Sequence, residues 1–174
     1  MNPEEIEVTL REAIPTDAAQ LLEFWRQEVL PCDFLVTDDF DAAISPHILA
    51  EEIATIYESD NNLLLLAFAD QDLVGYLRIA AEQSYQRGHV GELGIIVSEK
   101  FRHQGLGQAL MTAGLDWVVE ESQLKRVELY VQKRNKVAQK LYEHFDFKTE
   151  GELPDSFRRK DGQLISTLLM ARLF

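Results

Sequence analysis

Two apolar runs separated by three polar residues constrain the fold of this 174-residue chain more than any other feature. They flank Asp70-Gln71-Asp72 within the segment NLLLLAFADQDLVGYLRIAAE. Apolar runs of this length favour β-strands, and so short a polar connection favours an antiparallel hairpin. The sequence therefore predicts a hairpin near the middle of the chain.

One strand and two helices are predicted before this hairpin. IEVTLREA alternates as a strand does, and Pro15-Thr16-Asp17 then starts a helix over AAQLLEFWRQEVL. An acidic loop, PCDFLVTDDFDAAI, leads to a second helix with Ser45 as its N-cap and Pro46 in its first position.

The rest of the chain also alternates between strand and helix patterns. HVGELGIIV predicts a strand before a helix from about Gly105 to Glu120, and KRVELYV predicts a strand before the helix KVAQKLYEHF, with Val137 facing inward. FKTEGEL and QLISTLLMARLF predict closing strands joined through the turn Asp161-Gly162. The order β-α-α-β-β-β-α-β-α-β-β predicts a single mixed α/β (α+β) domain over residues 1–174, and neither a regular doubly wound sheet nor a barrel.

Charge and cysteine content exclude several classes of protein. The net charge of −13 argues against nucleic-acid binding. The apolar runs are far shorter than the roughly 20 residues of a membrane span, and the acidic N-terminus is unlike a signal peptide, so we expect a soluble cytoplasmic protein. The chain has a single cysteine, Cys32, so we expect no internal disulfide framework. Its four histidines lack the spacing of metal ligands, so we expect no metal site.

The negative charge is unevenly distributed along the chain. Residues 1–62 contain 15 Asp or Glu and 2 Lys or Arg, whereas residues 63–174 contain 15 of each kind. Two interpretations remain open. The first is a solvated acidic surface that keeps the protein soluble, and the second is an acidic lip that attracts a cationic substrate.

The segment VSEKFRHQGLGQALM sets Gly105 and Gly107 at the start of a predicted helix. Glycine lowers helix stability by about 1 kcal/mol relative to alanine, so this backbone is expected to bend or to approach a neighbouring group closely. Unpaired amides at a helix N-terminus can hold a phosphate group. Cations near the turn and after the next strand would complement its charge: Lys100, Arg102, His103, Lys133, Arg134, Lys136 and Lys140.

Two common phosphate-binding motifs do not fit this turn. The Walker pattern G-x-x-x-x-G-K-[ST] is absent. A dinucleotide fingerprint needs Gly or Ala where Leu110 stands, and it needs a strand directly before its first glycine, yet Ser98–Gln104 intervene.

Two motifs carry a resemblance to a known family. RHQGLG, from Arg102 to Gly107, resembles the acyl-CoA pyrophosphate loop of the GCN5-related N-acetyltransferase (GNAT) superfamily, with its pattern Arg-x-x-Gly-x-Gly. NKVAQKLYEHFDF resembles that superfamily's N-x-x-A-x-x-x-Y-x-x-x-G-F segment through Asn135, Ala138, Tyr142 and Phe147. The resemblance covers essentially the whole chain in element order. It implies the GNAT fold, a mixed central sheet of about seven strands flanked by about four helices.

One position departs from the family pattern. Asp146 stands where the family usually has glycine, directly before Phe147. Aspartate is among the few residues that tolerate the left-handed conformation often needed at a helix end, so the fold is expected to survive this change.

The resemblance implies where acetyl-CoA binds. The backbone of Ile95, Ile96 and Val97 would pair with the pantetheine arm, in a slot where the strands ELGIIV and VELYV splay apart. Gly94 would mark a bulge beside the slot. The residues that the resemblance assigns to the rest of acetyl-CoA are Arg102, His103, Gln104, Gly105, Leu106, Gly107, Asn135, Ala138 and Tyr142.

The resemblance also implies two catalytic residues. Glu92 would act as general base, directly or through a water, because an ammonium has no lone pair with which to attack a thioester. Tyr142 would donate its hydroxyl proton towards the departing CoA thiolate. Structural interpretations stay open for both: a solvated or structurally paired glutamate, and a tyrosine packed in the core.

The implied function is an N-acetyltransferase that moves an acetyl group from acetyl-CoA to a primary amine by direct attack in a ternary complex, without a metal. The acidic first third would form much of the acceptor rim, which predicts a small cationic acceptor. The alternatives are a protein N-terminal acetyltransferase, as for ribosomal proteins, and a non-catalytic module that binds CoA. The closing strand could pair with a second subunit in a homodimer.

Overall fold

The computed structural model describes residues 7–36 and 43–174, so residues 37–42 of the predicted acidic loop lie outside the described ranges. Within these ranges the chain forms seven strands and four α-helices in the predicted order. The strands are β1 (Val8–Glu12), β2 (Leu63–Ala69), β3 (Asp72–Ala81), β4 (Val90–Val97), β5 (Arg126–Gln132), β6 (Lys148–Arg158) and β7 (Leu164–Leu173). The helices are α1 (Ala18–Phe24), α2 (Pro46–Tyr57), α3 (Leu106–Glu120) and α4 (Lys136–His144).

The strands form one mixed sheet in the order β1-β2-β3-β4-β5-β7-β6. The predicted hairpin is present as the antiparallel pair β2–β3. Every neighbouring pair is antiparallel except β4–β5, which is parallel. The single parallel pair joins a four-stranded part of the sheet, β1 to β4, to a three-stranded part formed by β5, β7 and β6.

The helices cover the two faces of the sheet, and each face has its own hydrophobic core. Helices α1 and α2 pack on one face, against side chains such as Leu66 and Tyr76. Helices α3 and α4 pack on the other, against alternate residues of the same strands, such as Leu65 and Leu77. Because successive side chains of a strand point to opposite faces, the uninterrupted apolar run of β2 is explained by burial on both sides.

Ser45 and Asp146 behave at the helix ends as the sequence predicts, and Asn135 also caps a helix. The Ser45 hydroxyl accepts a hydrogen bond from the Ile48 amide at 3.2 Å, and the Asn135 side chain accepts one from the Ala138 amide at 3.2 Å. Asp146 follows α4 with a φ of 64°, in the left-handed region that its family-atypical position was expected to require. These caps fix where α2 begins and where α4 begins and ends.

Two expectations are wrong in detail. Val137 does not face the core: 67% of its surface is exposed, because the first turn of α4 borders an open cavity. Gly94 marks no bulge, since the β3–β4 register runs without a shift from Gly75–Val97 to Ala81–Gly91.

In residues 7–36 and 43–174, no helix combines the length and apolar character that crossing a bilayer requires.

Candidate functional site

The candidate site forms where β4 and β5 separate. These parallel strands pair at three positions, the last of which joins Glu92 to Glu128. Strand β4 pairs with β3 as far as Val97, and β5 pairs with β7 as far as Gln132. The expected splay is therefore present, and a cavity of about 1050 Å³ is lined by both strands where they diverge.

The cavity is lined by residues from both faces of the sheet. Leu93 and Ile95 line it from the side of the α3/α4 core, and Gly94 and Ile96 line it from the side of the α1/α2 core. Since β4 side chains alternate between the faces, two molecules that enter from opposite faces can meet at this strand.

The glycine-rich turn borders the cavity on the α3/α4 side. Gly105 directly precedes α3 with a φ of 84°, in the left-handed region that favours glycine. At Gly107 an added Cβ would make only an ordinary 3.5 Å contact with Leu141, so the backbone there needs no special conformation. Both glycines line the cavity, and the first amides of α3 have no acceptor within the helix. This turn can therefore receive an anion.

Polar contacts anchor the segment between β4 and this turn. The carboxylate of Glu28 accepts hydrogen bonds from the Ser98 hydroxyl at 2.7 Å and from the Glu99 amide at 3.3 Å. Arg102 Nε donates to the Val97 carbonyl at 3.0 Å. The start of the turn is thus tied to the end of β4 and, through Glu28, to the π-helical segment Trp25–Val29 that follows α1.

Only some of the predicted phosphate-binding cations reach the cavity. Arg102, His103 and Lys140 line it, whereas Lys100 does not. The remaining three are held elsewhere: Lys133 by Glu152 at 2.7 Å, Arg134 by Asp33 at 2.6 Å, and Lys136 by Gln139 at 3.1 Å.

Most of the predicted site residues come together around this cavity. Those that line it are Glu92, Ile95, Ile96, Val97, Arg102, His103, Gly105, Gly107, Asn135, Ala138 and Tyr142. Gln104 and Leu106 do not. Gln104 donates to the Lys100 carbonyl at 2.8 Å, and Leu106 is buried in the core.

Tyr142 lies between the core and the cavity. Its side chain is buried against Phe147, with 6.1 Å between the ring centroids, yet it also lines the cavity. Burial raises the pKa of Tyr142 to about 12. The phenol therefore stays protonated at neutral pH and is available as a hydrogen-bond donor. Its packing and site interpretations are compatible.

The α1/α2 side of the cavity carries charges of both signs. Arg78 on β3 and Glu92 on β4 line it, with Glu82 just after β3. Tyr130 on β5 lines the same cavity and is 38% exposed. The sequence predicts only Glu92 among these, because β3 reads as an ordinary apolar strand.

The segment after α1 forms a wall of the cavity through Cys32, Phe34, Leu35 and Val36. We call residues 32–36 the wall segment. Its position is fixed by Asp33, whose carboxylate accepts from Arg159 at 2.8 Å and from Arg134 at 2.6 Å. These bonds lower the pKa of Asp33 below its ordinary value.

Two further contacts secure the wall segment. The Nε2 of Gln132, a fully buried residue of β5, donates to the Asp33 carbonyl at 2.8 Å. The guanidinium of Arg134 lies 4.4 Å from the centre of the Phe34 ring. The wall segment is therefore tied to β5 and to the β6–β7 hairpin, across the gap from β4.

The predicted acidic lip is not found in the described part of the first 62 residues. None of the acids in residues 7–36 and 43–62 lines the cavity. Several instead make internal contacts, as Asp17 does with Arg11. Asp38, Asp39 and Asp41 lie outside the described residues.

Among the described residues, no group of three His, Cys, Asp or Glu side chains could hold a metal ion.

Comparison with protein families gives a match over most of the chain. The model of the family described as the acetyltransferase (GNAT) family matches residues 22–147. That range contains both motifs of the sequence analysis and every residue that lines the cavity.

Individual proteins are similar over nearly the whole chain. A GNAT-family acetyltransferase from Streptococcus pneumoniae has a crystal structure with a TM-score of 0.92 and 31% identity, covering 97% of this chain and 100% of that one. The L-amino acid N-acetyltransferase AaaT of Escherichia coli is 27% identical over 167 residues, which are 96% of this chain and 98% of AaaT. RimL, a ribosomal alpha-N-protein acetyltransferase in complex with coenzyme A, has a TM-score of 0.77 over 99% of this chain and 97% of its own, but its 15% identity supports a likeness of fold alone.

Proposed function

Because the chain belongs to the GNAT acetyltransferase family and uses acetyl-CoA as its acetyl donor, we propose that it acetylates a small primary amine by direct attack in a ternary complex. The observation that carries this proposal is the cavity at the β4–β5 gap, which is lined by residues from both faces of the sheet. The donor would enter from the α3/α4 face and the acceptor from the other. Neither substrate then has to leave before the other binds.

The donor half is supported by backbone geometry. Beyond Glu92, β4 no longer pairs with β5, so its amides and carbonyls on that side can pair with the pantetheine arm as a neighbouring strand would. The turn before α3 would receive the pyrophosphate, with Arg102 and Lys140 supplying positive charge. An amide of β4 would also polarise the thioester carbonyl.

The chemistry needs one group to accept a proton and one to donate it. Glu92 would take the proton from the acceptor ammonium, directly or through a water, and the free amine would attack the thioester carbon. As the new C–N bond forms, the C–S bond breaks, and Tyr142 would donate its hydroxyl proton to the CoA thiolate. The second proton lost by the attacking nitrogen would restore the Tyr142 hydroxyl, so that the products are the amide, the CoA thiol and the proton held by Glu92. The raised pKa of Tyr142, about 12, keeps that proton in place at neutral pH.

The acceptor is proposed to be a small amine that arrives in its cationic ammonium form. Among the described residues, Glu82 and Glu92 supply negative charge at the cavity, and none of the acids in residues 7–36 and 43–62 does. The relative AaaT is named an L-amino acid N-acetyltransferase, and amino acids carry such an ammonium group. A protein N-terminus, the alternative raised by the sequence analysis, is the second acceptor to test.

The test is amine-dependent release of CoA from acetyl-CoA, measured over a panel of amino acids, polyamines, aminoglycosides and peptides with free N-termini. Glu92→Gln and Tyr142→Phe should each lower kcat by about 100-fold or more while leaving acetyl-CoA binding nearly unchanged. The fully exposed Tyr85 provides the matched control, since Tyr85→Phe should leave kcat unaltered.

The outcomes separate the alternatives. Turnover only with peptides would favour the N-terminal acetyltransferase. Binding of acetyl-CoA without turnover on any amine would favour a non-catalytic module and overturn the proposal. The single domain over residues 1–174, the cytoplasmic location and the possible homodimer stay predictions.

A further inference from the structure

A positive and a negative side chain lie together on the acceptor face of the sheet. In the β3–β4 ladder Arg78 lies opposite Gly94, and Ala80 lies opposite Glu92. Arg78 and Glu92 are therefore diagonal neighbours on one face, where such residues are about 7–8 Å apart. Both line the cavity, so one small molecule can reach both.

Gly94 leaves the space beside this pair open. A Cβ built on Gly94 would meet no atom of the described residues within 4 Å, although Gly94 lies in the middle of a paired strand and lines the cavity. Bare backbone here gives a ligand room between the guanidinium and the carboxylate. A larger residue would project into this space.

We propose that the acceptor is an α-amino acid whose carboxylate binds Arg78 while its amine faces Glu92. The inference rests on the proposed function, because it assigns the acceptor of the same reaction. An α-amino acid carries its two charged groups on one carbon, which suits two opposite charges on neighbouring strands. A guanidinium matches a carboxylate through two parallel N–H···O bonds.

Arg78 can bind the substrate carboxylate although it already has an interaction within the protein. Both Arg78 and Glu92 already interact within the protein. A guanidinium has five N–H donors, so it can keep an internal partner and bind a substrate carboxylate as well. The carboxylate of the acceptor would accept from some of these N–H donors, and the others could keep their partner within the protein.

The test compares acceptors that differ only in the carboxylate. Leucine is paired with 3-methylbutylamine and phenylalanine with 2-phenylethylamine, and CoA release is measured at saturating acetyl-CoA. Loss of a charge-assisted hydrogen-bonded contact typically costs at least about tenfold, so kcat/KM should be at least tenfold higher for each amino acid than for its amine.

The variants Arg78→Gln and Arg78→Lys assign that preference to one side chain. Arg78→Gln should raise KM for the amino acids at least about tenfold, leave the amines nearly unchanged, and so abolish the preference. Arg78→Lys should keep part of it, because the charge remains without the two-pronged geometry. Arg158 is an exposed arginine of β6, and Arg158→Gln should keep the full preference. An unchanged KM for acetyl-CoA shows that each variant is folded.

Two results would overturn the inference in different ways. Equal kcat/KM for amino acids and amines, or an equal loss for both in Arg78→Gln, would remove the carboxylate site but leave the acetyltransferase activity intact. An absence of CoA release with every acceptor would instead remove the proposed function, and this inference with it.

Discussion

Gly105 adopts a left-handed conformation, with a φ of 84°, where the chain turns from the end of β4 into α3. An added Cβ at Gly105 would meet no atom of the described residues within 4 Å, so the penalty for a side chain there comes from the backbone conformation. Gly105→Ala should cost about 1–2 kcal/mol of stability, and it should raise KM for acetyl-CoA because the turn borders the donor side of the cavity. Thermal unfolding and initial rates measure the two effects.

The control is another glycine with the same backbone strain. Gly162 has a φ of 88° in the turn between β6 and β7, and its Cβ would also meet no atom. Gly162→Ala should cost similar stability without changing KM for acetyl-CoA. A similar rise in KM for both variants would show that general destabilisation is responsible, and not the turn.

The ion pair between Asp17 and Arg11 stabilises the fold, and this stabilisation is lost at low pH. Its carboxylate is 9% exposed and accepts two 2.7 Å bonds from Arg11, with a third from the Ile14 amide at 2.8 Å. The bonds from Arg11 lower the pKa of Asp17 below its ordinary value of 3.8. The stabilisation is therefore complete above pH 3.8, and it is lost as the pH falls through the lower pKa of the folded state.

Replacing this carboxylate should remove both the stabilisation and its pH dependence. Asp17→Asn should lose about 1–3 kcal/mol at pH 7 and show a flatter fall in stability below pH 3.8. Urea unfolding at several pH values measures this. The exposed Asp60 serves as control, and an Asp60→Asn variant with the same loss would contradict the role given to Arg11–Asp17.

The order of the strands and helices, and the ends of α2 and α4, could be predicted because their signals are local. The predicted strand FKTEGEL stops short of the end of β6 at Arg158, and the predicted first helix is longer than α1. Ser45, Asn135 and Asp146 each act within a few residues of a helix end. The partners of Asp33 could not be predicted in this way, because Arg134 and Arg159 lie 101 and 126 residues further along the chain. Proximity in sequence suggested a phosphate partner for Arg134, whereas the fold brings it to the wall segment.

The wall segment is the element whose position depends most on such distant contacts. Asp33→Asn would weaken the bonds to Arg159 and Arg134 that hold Phe34 and Leu35 against the cavity. The expected result is a higher KM for the acceptor, with KM for acetyl-CoA nearly unchanged. Initial rates with each substrate varied in turn measure the two constants.

Asp161 provides a matched control for this prediction. Its carboxylate also contacts Arg159, at 3.2 Å, but it lies in the turn between β6 and β7 and does not line the cavity. Asp161→Asn should leave both constants unchanged. A rise in both KM values for Asp33→Asn would mean that its contacts support the whole site and not the acceptor side alone.

Only part of the candidate site could be predicted from the sequence, because the rest is formed by residues that strand pairing makes neighbours. The glycine turn and the Asn135 helix identified the donor side, because these motifs are short and continuous. Arg78 and the open space at Gly94 emerged only from the register of β3 and β4, where residues separated along the chain become neighbours. Side chains of an apolar strand give no sequence signal for which of them faces a cavity.

The central sheet has two parts, β1 to β4 and β5 with β7 and β6, which are directly paired at only three positions. Acetyl-CoA bound in the β4–β5 gap would contact β4 and α3 of the first part, and α4, which follows β5, of the second. It would therefore hold the two parts together. A ligand that binds only the folded state stabilises it by about 2.7 kcal/mol at 100 times its Kd. For a chain of this size, that should raise the melting temperature by about 5–10 °C, measured by thermal unfolding with and without acetyl-CoA.

Fragments of the donor test which contacts supply this stabilisation. Pantetheine lacks the pyrophosphate, so it should give a smaller shift than CoA at equal concentration, and Gly105→Ala should reduce the shift with CoA but not with pantetheine. Equal shifts for CoA and pantetheine in the unaltered protein would contradict the anion site at the start of α3. No shift at saturating acetyl-CoA would contradict its binding between the two parts of the sheet.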